Sequence, residues 1–327
     1  MVIFDLIMFK RIPVTILTGF LGAGKTTLLN RLLKENVDQK FAVIVNEFGD
    51  IGLDGSLLDG AKDGLVELNG GAICCAAMGD TVKAITSLLA SDKDFDRVII
   101  ETTGLADPLP LAKAFINRPS LERAFSLDAI TTLVDASTLL ERLIDTEEAI
   151  KQIAIADIIV VTKSDLVDAQ RLIDVGSKIT ELNPSAKIII AVKGGLKVSE
   201  LFNTPLPADT ERLHAKAAEA QKNDGHHSHS DITSIHLRET QPLDLAKVSR
   251  FIGEHLVANG DHLLRYKGIF NINGRPERFV FQGVQFDFEL LPDRPWQAGE
   301  ERKSDLILIG TQIKKAEFAP AFSACVI

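Results

Sequence analysis

From residue 12 to about residue 203, short apolar runs rich in β-branched residues alternate with stretches of helical spacing. Runs at 13–18, 41–46, 97–101, 129–134, 158–162 and 187–192 predict strands. Stretches at 25–36, 79–91, 108–117, 138–154 and 168–182 predict helices. Such alternation implies an α/β fold, a mostly parallel sheet with helices on both faces. Ile158-Ile159-Val160-Val161 and Ile188-Ile189-Ile190 are apolar throughout, as strands covered on both sides must be. Residues 204–231 change character: Pro205 and Pro207, a polar Ala-rich stretch, then Asn223-Asp224-Gly225-His226-His227-Ser228-His229. This reads as a linker. Beyond it, 232–238, 270–272, 278–284 and 306–309 predict strands, 243–256 a helix, and a short helix follows 314. The expected division is therefore 10–203, a linker at 204–231, and a smaller α+β unit at 232–327.

A chain of 327 residues fits two domains, since single cores stop growing near ~250–300 residues. The net charge of −9 argues against a general nucleic-acid partner, which calls for a basic stripe. Only three cysteines are present, two of them adjacent, so a disulfide scaffold is excluded and a reducing cytoplasm is the natural setting. No apolar run reaches the ~18 residues that span a bilayer, so no membrane role is expected. The opening Met1–Phe9 is apolar but short, interrupted by Asp5, and lacks the basic start of a signal peptide. Met8 is an alternative start.

Chemistry concentrates in three places. Gly19-Phe20-Leu21-Gly22-Ala23-Gly24-Lys25-Thr26 spells G-x-x-x-x-G-K-T between a predicted strand and a predicted helix. That setting is what a phosphate-binding loop requires. Gly19, Gly22, Ala23, Gly24 and Thr27 are expected to line the phosphates with backbone N–H groups at a helix N-terminus. Lys25 is placed for the β- and γ-phosphates and Thr26 for Mg²⁺. Thr162-Lys163-Ser164-Asp165 ends another strand and fits the guanine-reading [N/T]-K-x-D pattern. The Asp165 carboxylate matches the paired N–H donors of guanine, which adenine lacks, and the Lys163 stem can lie along the base. Thr162 stands where Asn is more usual. Third, Glu101-Thr102-Thr103-Gly104 ends the strand at 97–101. Glu101 is expected to organise Mg²⁺ and Gly104 to bring its N–H to the γ-phosphate. Lys25, Thr26 and Glu101 are thus the candidate catalytic residues. Loop 46–54, with Glu47, Gly49, Asp50 and Gly52, is the candidate first switch.

Taken together, G-F-L-G-A-G-K-T-T-L, N-E-F-G-D, I-C-C, E-T-T-G-L-A-D-P and T-K-S-D resemble the CobW-type P-loop GTPases, the zinc metallochaperone family, in its bacterial YjiA-like branch. Leu264–Gly268, Phe281–Gln285 and Asp293–Trp296 extend the resemblance to the second unit. It implies a GTPase domain followed by a CobW carboxy-terminal domain. The implied activity is slow GTP hydrolysis coupled to delivery of a transition metal, usually zinc, to a client metalloprotein. One position departs from the family pattern: Ala72 stands where its first C-x-C-C cysteine should be. Cys74, Cys75 and a carboxylate, Asp50 or Glu47, remain as metal ligands, and zinc accepts three protein ligands plus water. The alternative is that Cys74 and Cys75 are small buried residues. His226, His227 and His229 either collect metal loosely or are simply part of a polar linker.

Two further functions stay open at this level. A nucleotide-dependent adaptor that binds a client without metal is favoured by Ala72, and a cobalt-handling CobW-like protein shares the same motifs. A small-molecule kinase using ATP is opposed by the T-K-S-D segment. All seven histidines lie beyond residue 213, so a histidine base in the first unit is excluded. No arginine finger is evident, and unaided turnover on the order of 10⁻⁴–10⁻² s⁻¹ is expected.

Overall fold

The computed structural model describes residues 11–35, 40–46, 65–68, 85–86, 88, 95–118, 121, 123–192, 196, 198–202 and 232–327. Seven strands, β1 (Ile12–Gly19), β2 (Phe41–Asn46), β3 (Leu65–Leu68), β4 (Arg97–Glu101), β5 (Phe125–Asp135), β6 (Ile158–Thr162) and β7 (Lys187–Ile190), form one sheet. Their order is β3-β2-β4-β1-β5-β6-β7 and every pairing is parallel. The chain winds outward in both directions from β1, so a crevice opens at the carboxyl end of that strand, where such sheets hold ligands. Among the described residues the bounded α-helices of this unit are α1 (Lys25–Glu35), α2 (Leu109–Asn117), α3 (Leu139–Asp145), α4 (Glu147–Ala154) and α5 (Ala169–Leu182).

A second sheet follows, built from β8 (Ile232–Glu239), β9 (Leu263–Phe270), β10 (Glu277–Val284), β11 (Asp287–Pro295) and β12 (Ser304–Thr311). It is antiparallel, in the order β11-β10-β9-β12-β8. Helices α6 (Leu245–Phe251) and α7 (Lys315–Ser323) accompany it. No helix among the described residues is long and apolar enough to cross a membrane.

Several expected elements change form. The stretch 138–154 is two helices, broken at Thr146, which is extended at φ −136° and ψ 119°. Both its N–H and its hydroxyl donate to the Arg142 carbonyl, at 2.9 and 2.6 Å, which closes α3. Glu147 and Glu148 then open α4, where acidic side chains suit the helix dipole. The strand expected at 270–272 lies upstream as β9, because Arg265 and Lys267 interrupt its apolar run yet are paired with an acid on the other unit. β11 was not expected at all. It carries Pro292 and Pro295, tolerated because it is an edge strand. β3 is a four-residue edge strand, too short to stand out. The helix expected over 243–256 starts at Asp244, whose carboxylate caps the Lys247 N–H at 2.9 Å, and passes into a wider π-turn at Ile252–Leu256. The helix expected at 79–91 and the linker at 204–231 lie largely or wholly outside the described residues.

Side chains of β1, β2 and β4 alternate between two cores. Leu17, Val43 and Ile99 pack with Leu28, Leu29 and Leu32 of α1. On the opposite face, Val14, Ile16, Ile44 and Ile100 pack with Leu111, Ala112 and Phe115 of α2. Leu264, Val284, Ile307 and Ile309 of the second sheet join this same cluster. One face of the parallel sheet is thus covered jointly by its own helix and by the neighbouring unit.

At this seam Asp157, in the turn before β6, is buried with Arg265, and the half-buried Lys267 lies against them. Arg265 Nη2 reaches its carboxylate at 3.0 Å and Lys267 Nζ at 2.6 Å, while the Ile130 N–H donates to Oδ2 at 2.8 Å. Burial alone would raise the Asp157 pKa. The two cations and the Ile130 N–H outweigh it and hold the carboxyl below the usual range. Asp157→Asn leaves the buried Arg265 and the half-buried Lys267 without this counter-charge and is expected to destabilise the protein by about 3–5 kcal/mol. Urea denaturation at neutral pH measures this. The stabilisation should be complete above the unfolded carboxylate pKa of about 3.9 and disappear as pH falls through the lower folded value. A loss below about 1 kcal/mol would show the seam to be held by apolar packing alone.

Candidate functional site

The loop after β1 owes its shape to three glycines with positive φ: Gly19 at 135°, Gly22 at 77° and Gly24 at 95°. Their reasons differ. A Cβ on Gly19 would lie 2.3 Å from the Leu133 carbonyl oxygen, so the loop leaves β1 pressed against β5. Gly22 and Gly24 have open space around the missing Cβ and are needed for the turn itself. Lys25 and Thr26 begin α1. Lys25 Nζ curls back to donate to the carbonyls of Gly19 at 2.8 Å and Phe20 at 3.3 Å. An anion seated in the loop would draw this ammonium from carbonyl oxygens to phosphate oxygens. Ala23 is buried, whereas Thr27 is exposed on the first turn of α1.

Thr26 Oγ1 donates to Glu101 Oε1 at 2.9 Å. Two residues far apart in sequence thus present a hydroxyl and a carboxylate together, hard oxygen donors of the kind Mg²⁺ takes. Glu101 is buried at the end of β4. The next residue, Thr102, donates from its hydroxyl to Thr18 Oγ1 at 2.8 Å, and its N–H bonds the Leu17 carbonyl at 2.9 Å. Gly104 follows, and a Cβ there would meet the Leu21 backbone nitrogen at 2.6 Å. The E-T-T-G segment therefore lies directly against the glycine loop.

The T-K-S-D segment closes the arrangement from β6. Thr162 Oγ1 donates to the Ala23 carbonyl at 2.9 Å and the Val134 carbonyl at 3.0 Å, tying the end of β6 to the glycine loop. Lys163 has φ 53°, an unusual left-handed conformation for a residue with a side chain. Its ammonium pairs with Asp135 Oδ2 at 2.6 Å. Burial works to raise the Asp135 pKa, but Lys163 and Ser137 hold it below the usual range. Ser164 Oγ donates to the Ala191 carbonyl at 3.0 Å, and Asp165 is exposed.

Sequence reasoning missed Asp135, Thr18, Thr102 and Gln152. Gln152 is buried on α4, and its amide donates to the carbonyls of Gly104 and Ala106 at 3.1 and 3.0 Å. Thr18 and Asp135, at the ends of predicted strands, and Thr102, inside E-T-T-G, carried a positional signal; Gln152 carried none. The remaining site expectations, Glu47, Asp50, Ala72, Cys74, Cys75, His226, His227 and His229, lie outside the described residues. Among the described residues no cluster of His, Cys, Asp and Glu could hold a metal. The third cysteine, Cys325, is buried, which pushes its thiol pKa up to about 11 and makes it a poor ligand near neutrality. A groove of about 370 Å³ between β8 and α7, lined by His236, Arg238, Lys315 and Phe322, shares no residue with the glycine loop.

The fold defines a P-loop NTPase. Residues 13–190 match the model of the CobW/HypB/UreG nucleotide-binding domain, and residues 232–326 match the cobalamin synthesis protein cobW C-terminal domain. The chain belongs to the CobW/HypB/UreG family. Zinc chaperone YjiA of Escherichia coli is 36% identical, with 95% of this chain and 98% of that protein aligned. Zinc-regulated GTPase metalloprotein activator 1 of Schizosaccharomyces pombe is 30% identical over 93% of this chain and 83% of that one. The crystal structure of Zn(II)-bound YjiA GTPase from E. coli superposes with a TM-score of 0.70, covering 98% of this chain and all of that one.

The two kinds of glycine give a measurable contrast. Gly19→Ala sets a methyl against the β5 backbone and is expected to cost about 2–4 kcal/mol in urea denaturation of the nucleotide-free protein. Gly22→Ala meets only the left-handed backbone and should cost about 1–2 kcal/mol. Equal losses would mean that the Gly19–Leu133 contact relaxes freely.

Proposed function

We infer that this protein is a GTP-hydrolysing metallochaperone that carries zinc and releases it to a client metalloprotein under nucleotide control. The observation that supports this most is the meeting of Thr26 with Glu101 beside the glycine loop, with Thr162 joining the T-K-S-D segment to the same loop. In this reading Gly19, Gly22, Ala23, Gly24, Lys25, Thr26 and Thr27 grip the phosphates. Gly104 faces the terminal phosphate, and Thr162, Lys163 and Asp165 recognise guanine. Mg²⁺, when bound, is held by Thr26 and Glu101 and neutralises charge on the β- and γ-phosphates. Lys25 and the loop amides stabilise the charge of the transferring phosphoryl group.

The cargo is zinc, as the name of the relative zinc chaperone YjiA suggests. Cys74 and Cys75 with Asp50 or Glu47 supply its ligands, and the adjacent thiols suit a reducing cytoplasm. Thiolates bind only when deprotonated, so loading releases protons and weakens toward acid pH. Cobalt is the second candidate metal. Ala72 also favours a second reading, a nucleotide-dependent adaptor that binds its client without metal. Equal client capture by wild type and a Cys74→Ala/Cys75→Ala variant in metal-free buffer would support that reading instead.

Two measurements test the leading reading. Calorimetry with Mg²⁺ should show GTP and GDP binding at least about a hundredfold tighter than ATP, as expected where a carboxylate matched to the guanine donors meets a base that lacks them. Zinc titrated with and without a non-hydrolysable GTP analogue should show affinities that differ by about fivefold or more. Identical zinc affinity in both states would remove nucleotide control, because linkage is reciprocal.

A further inference from the structure

Gln152 occupies an odd place for an amide. It lies on α4 between Ile150 and Ile153, which sit in the apolar core between α4, α5 and the sheet, and it is only 1% exposed. Its Nε2 donates to Gly104 O and Ala106 O. Both partners are carbonyls, so the nitrogen must face them; the flipped amide would set oxygen against oxygen. The backbone carbonyl of the same residue accepts the Thr132 hydroxyl at 2.7 Å, which fastens this point of α4 to β5. Gln152 thus links a fixed strand to the loop that leaves β4.

The consequence lies on the other side of that loop. In a trans peptide the C=O and the following N–H point in opposite directions. The Gly104 carbonyl is turned to Gln152, so the Leu105 N–H is turned away from it. The Thr103 carbonyl accepts the Ala106 N–H at 3.2 Å, which fixes the direction of the Gly104 N–H in the same way. The contact of Gly104 with Leu21 places this segment on the glycine loop.

We propose that Gln152 is a positioning residue for GTP hydrolysis: by holding the Gly104 carbonyl it presents the Leu105 amide to the terminal phosphate, and by holding the Ala106 carbonyl it steadies the turn in which the Ala106 N–H orients the Thr103–Gly104 peptide, and so it sets discrimination between GTP and GDP. This rests on the reading above that the loop meets the γ-phosphate. The Gln152 amide bonds only the Gly104–Ala106 segment, so its effect is expected in states where a third phosphate meets that segment.

The test compares wild type with Gln152→Leu and Gln152→Glu in the full chain with Mg²⁺. Gln152→Leu should lower kcat and the affinity for a non-hydrolysable GTP analogue by about ten- to a hundredfold, as expected from losing two buried hydrogen bonds and a fixed geometry. GDP affinity should stay within about twofold of wild type, within the noise of a contact not made. Gln152→Glu sets a carboxylate against two carbonyls at pH 8 and regains a donor when protonated. Its kcat relative to wild type should therefore rise as pH falls from 8 to 6. Equal losses of GDP and GTP affinity with no pH rescue would mark Gln152 as merely structural and overturn the proposal, as would unchanged kcat in both variants. Amide hydrogen exchange of wild type separates the underlying reading. Protection of 102–106 by the GTP analogue over GDP supports it, and its absence removes the reading and the proposal together.

Discussion

The architecture turns on one buried carboxylate. Asp157 ends the turn into β6, accepts the backbone N–H of Ile130 on β5, and faces two cations from β9 of the second sheet. Without it, Arg265 and Lys267 would be charges in an apolar seam, a state that proteins avoid by unfolding or by admitting water. With it, a strand that reads as half-polar can lie against Phe125, Leu127 and Ile130 of the first unit. The second sheet then completes a core that α2 covers only in part. The two units share one apolar cluster, so neither face of the seam is a surface suited to water.

That seam is connected to the nucleotide end of the sheet by short, stiff parts. β6 runs only from Ile158 to Thr162, so the acid that anchors the second unit is five residues from the threonine that bonds the glycine loop. β5 lies beside it and carries Leu133 against Gly19, Asp135 against Lys163, and Thr132 against α4. Three strand ends and one helix thus fix the site from below, through backbone contacts and buried or half-buried polar groups. The interactions that shape the site are those that hold the sheet together.

Much of this was legible from sequence, and the division has a physical reason. Runs such as Ile158–Val161 announce a strand covered on both faces, and the glycine loop is a local motif whose conformation is written in consecutive residues. β9 was read only at its last residue, Phe270, because its charged residues are satisfied by Asp157, 108 positions away from Arg265. β11 was hidden by prolines that only an edge can tolerate. The break at Thr146 depended on one hydroxyl choosing the Arg142 carbonyl. At the site the same rule applies: Gly19, Lys25 and Thr26 announce themselves, whereas Gln152 sits among isoleucines and its meaning lies 48 residues upstream at Gly104.

Helix α2 leaves the loop of Gly104 and Ala106 after only Asp107 and Pro108, and runs nine residues to Asn117. Asp107 fastens its first turn by accepting the Leu109 N–H at 2.9 Å. From its middle Lys113 donates to Gln285 at 3.1 Å and from its last residue Asn117 donates to Asp287 at 2.5 Å, both at the turn between β10 and β11. Tyr266 stiffens that turn by donating to the carbonyls of Gln285 and Asp287, each at 3.1 Å. A rod of about 14 Å, pinned at both ends, has no slack. Any displacement of its first turn has to be taken up at the hairpin, so the far edge of the second sheet is mechanically geared to the phosphate end of the first.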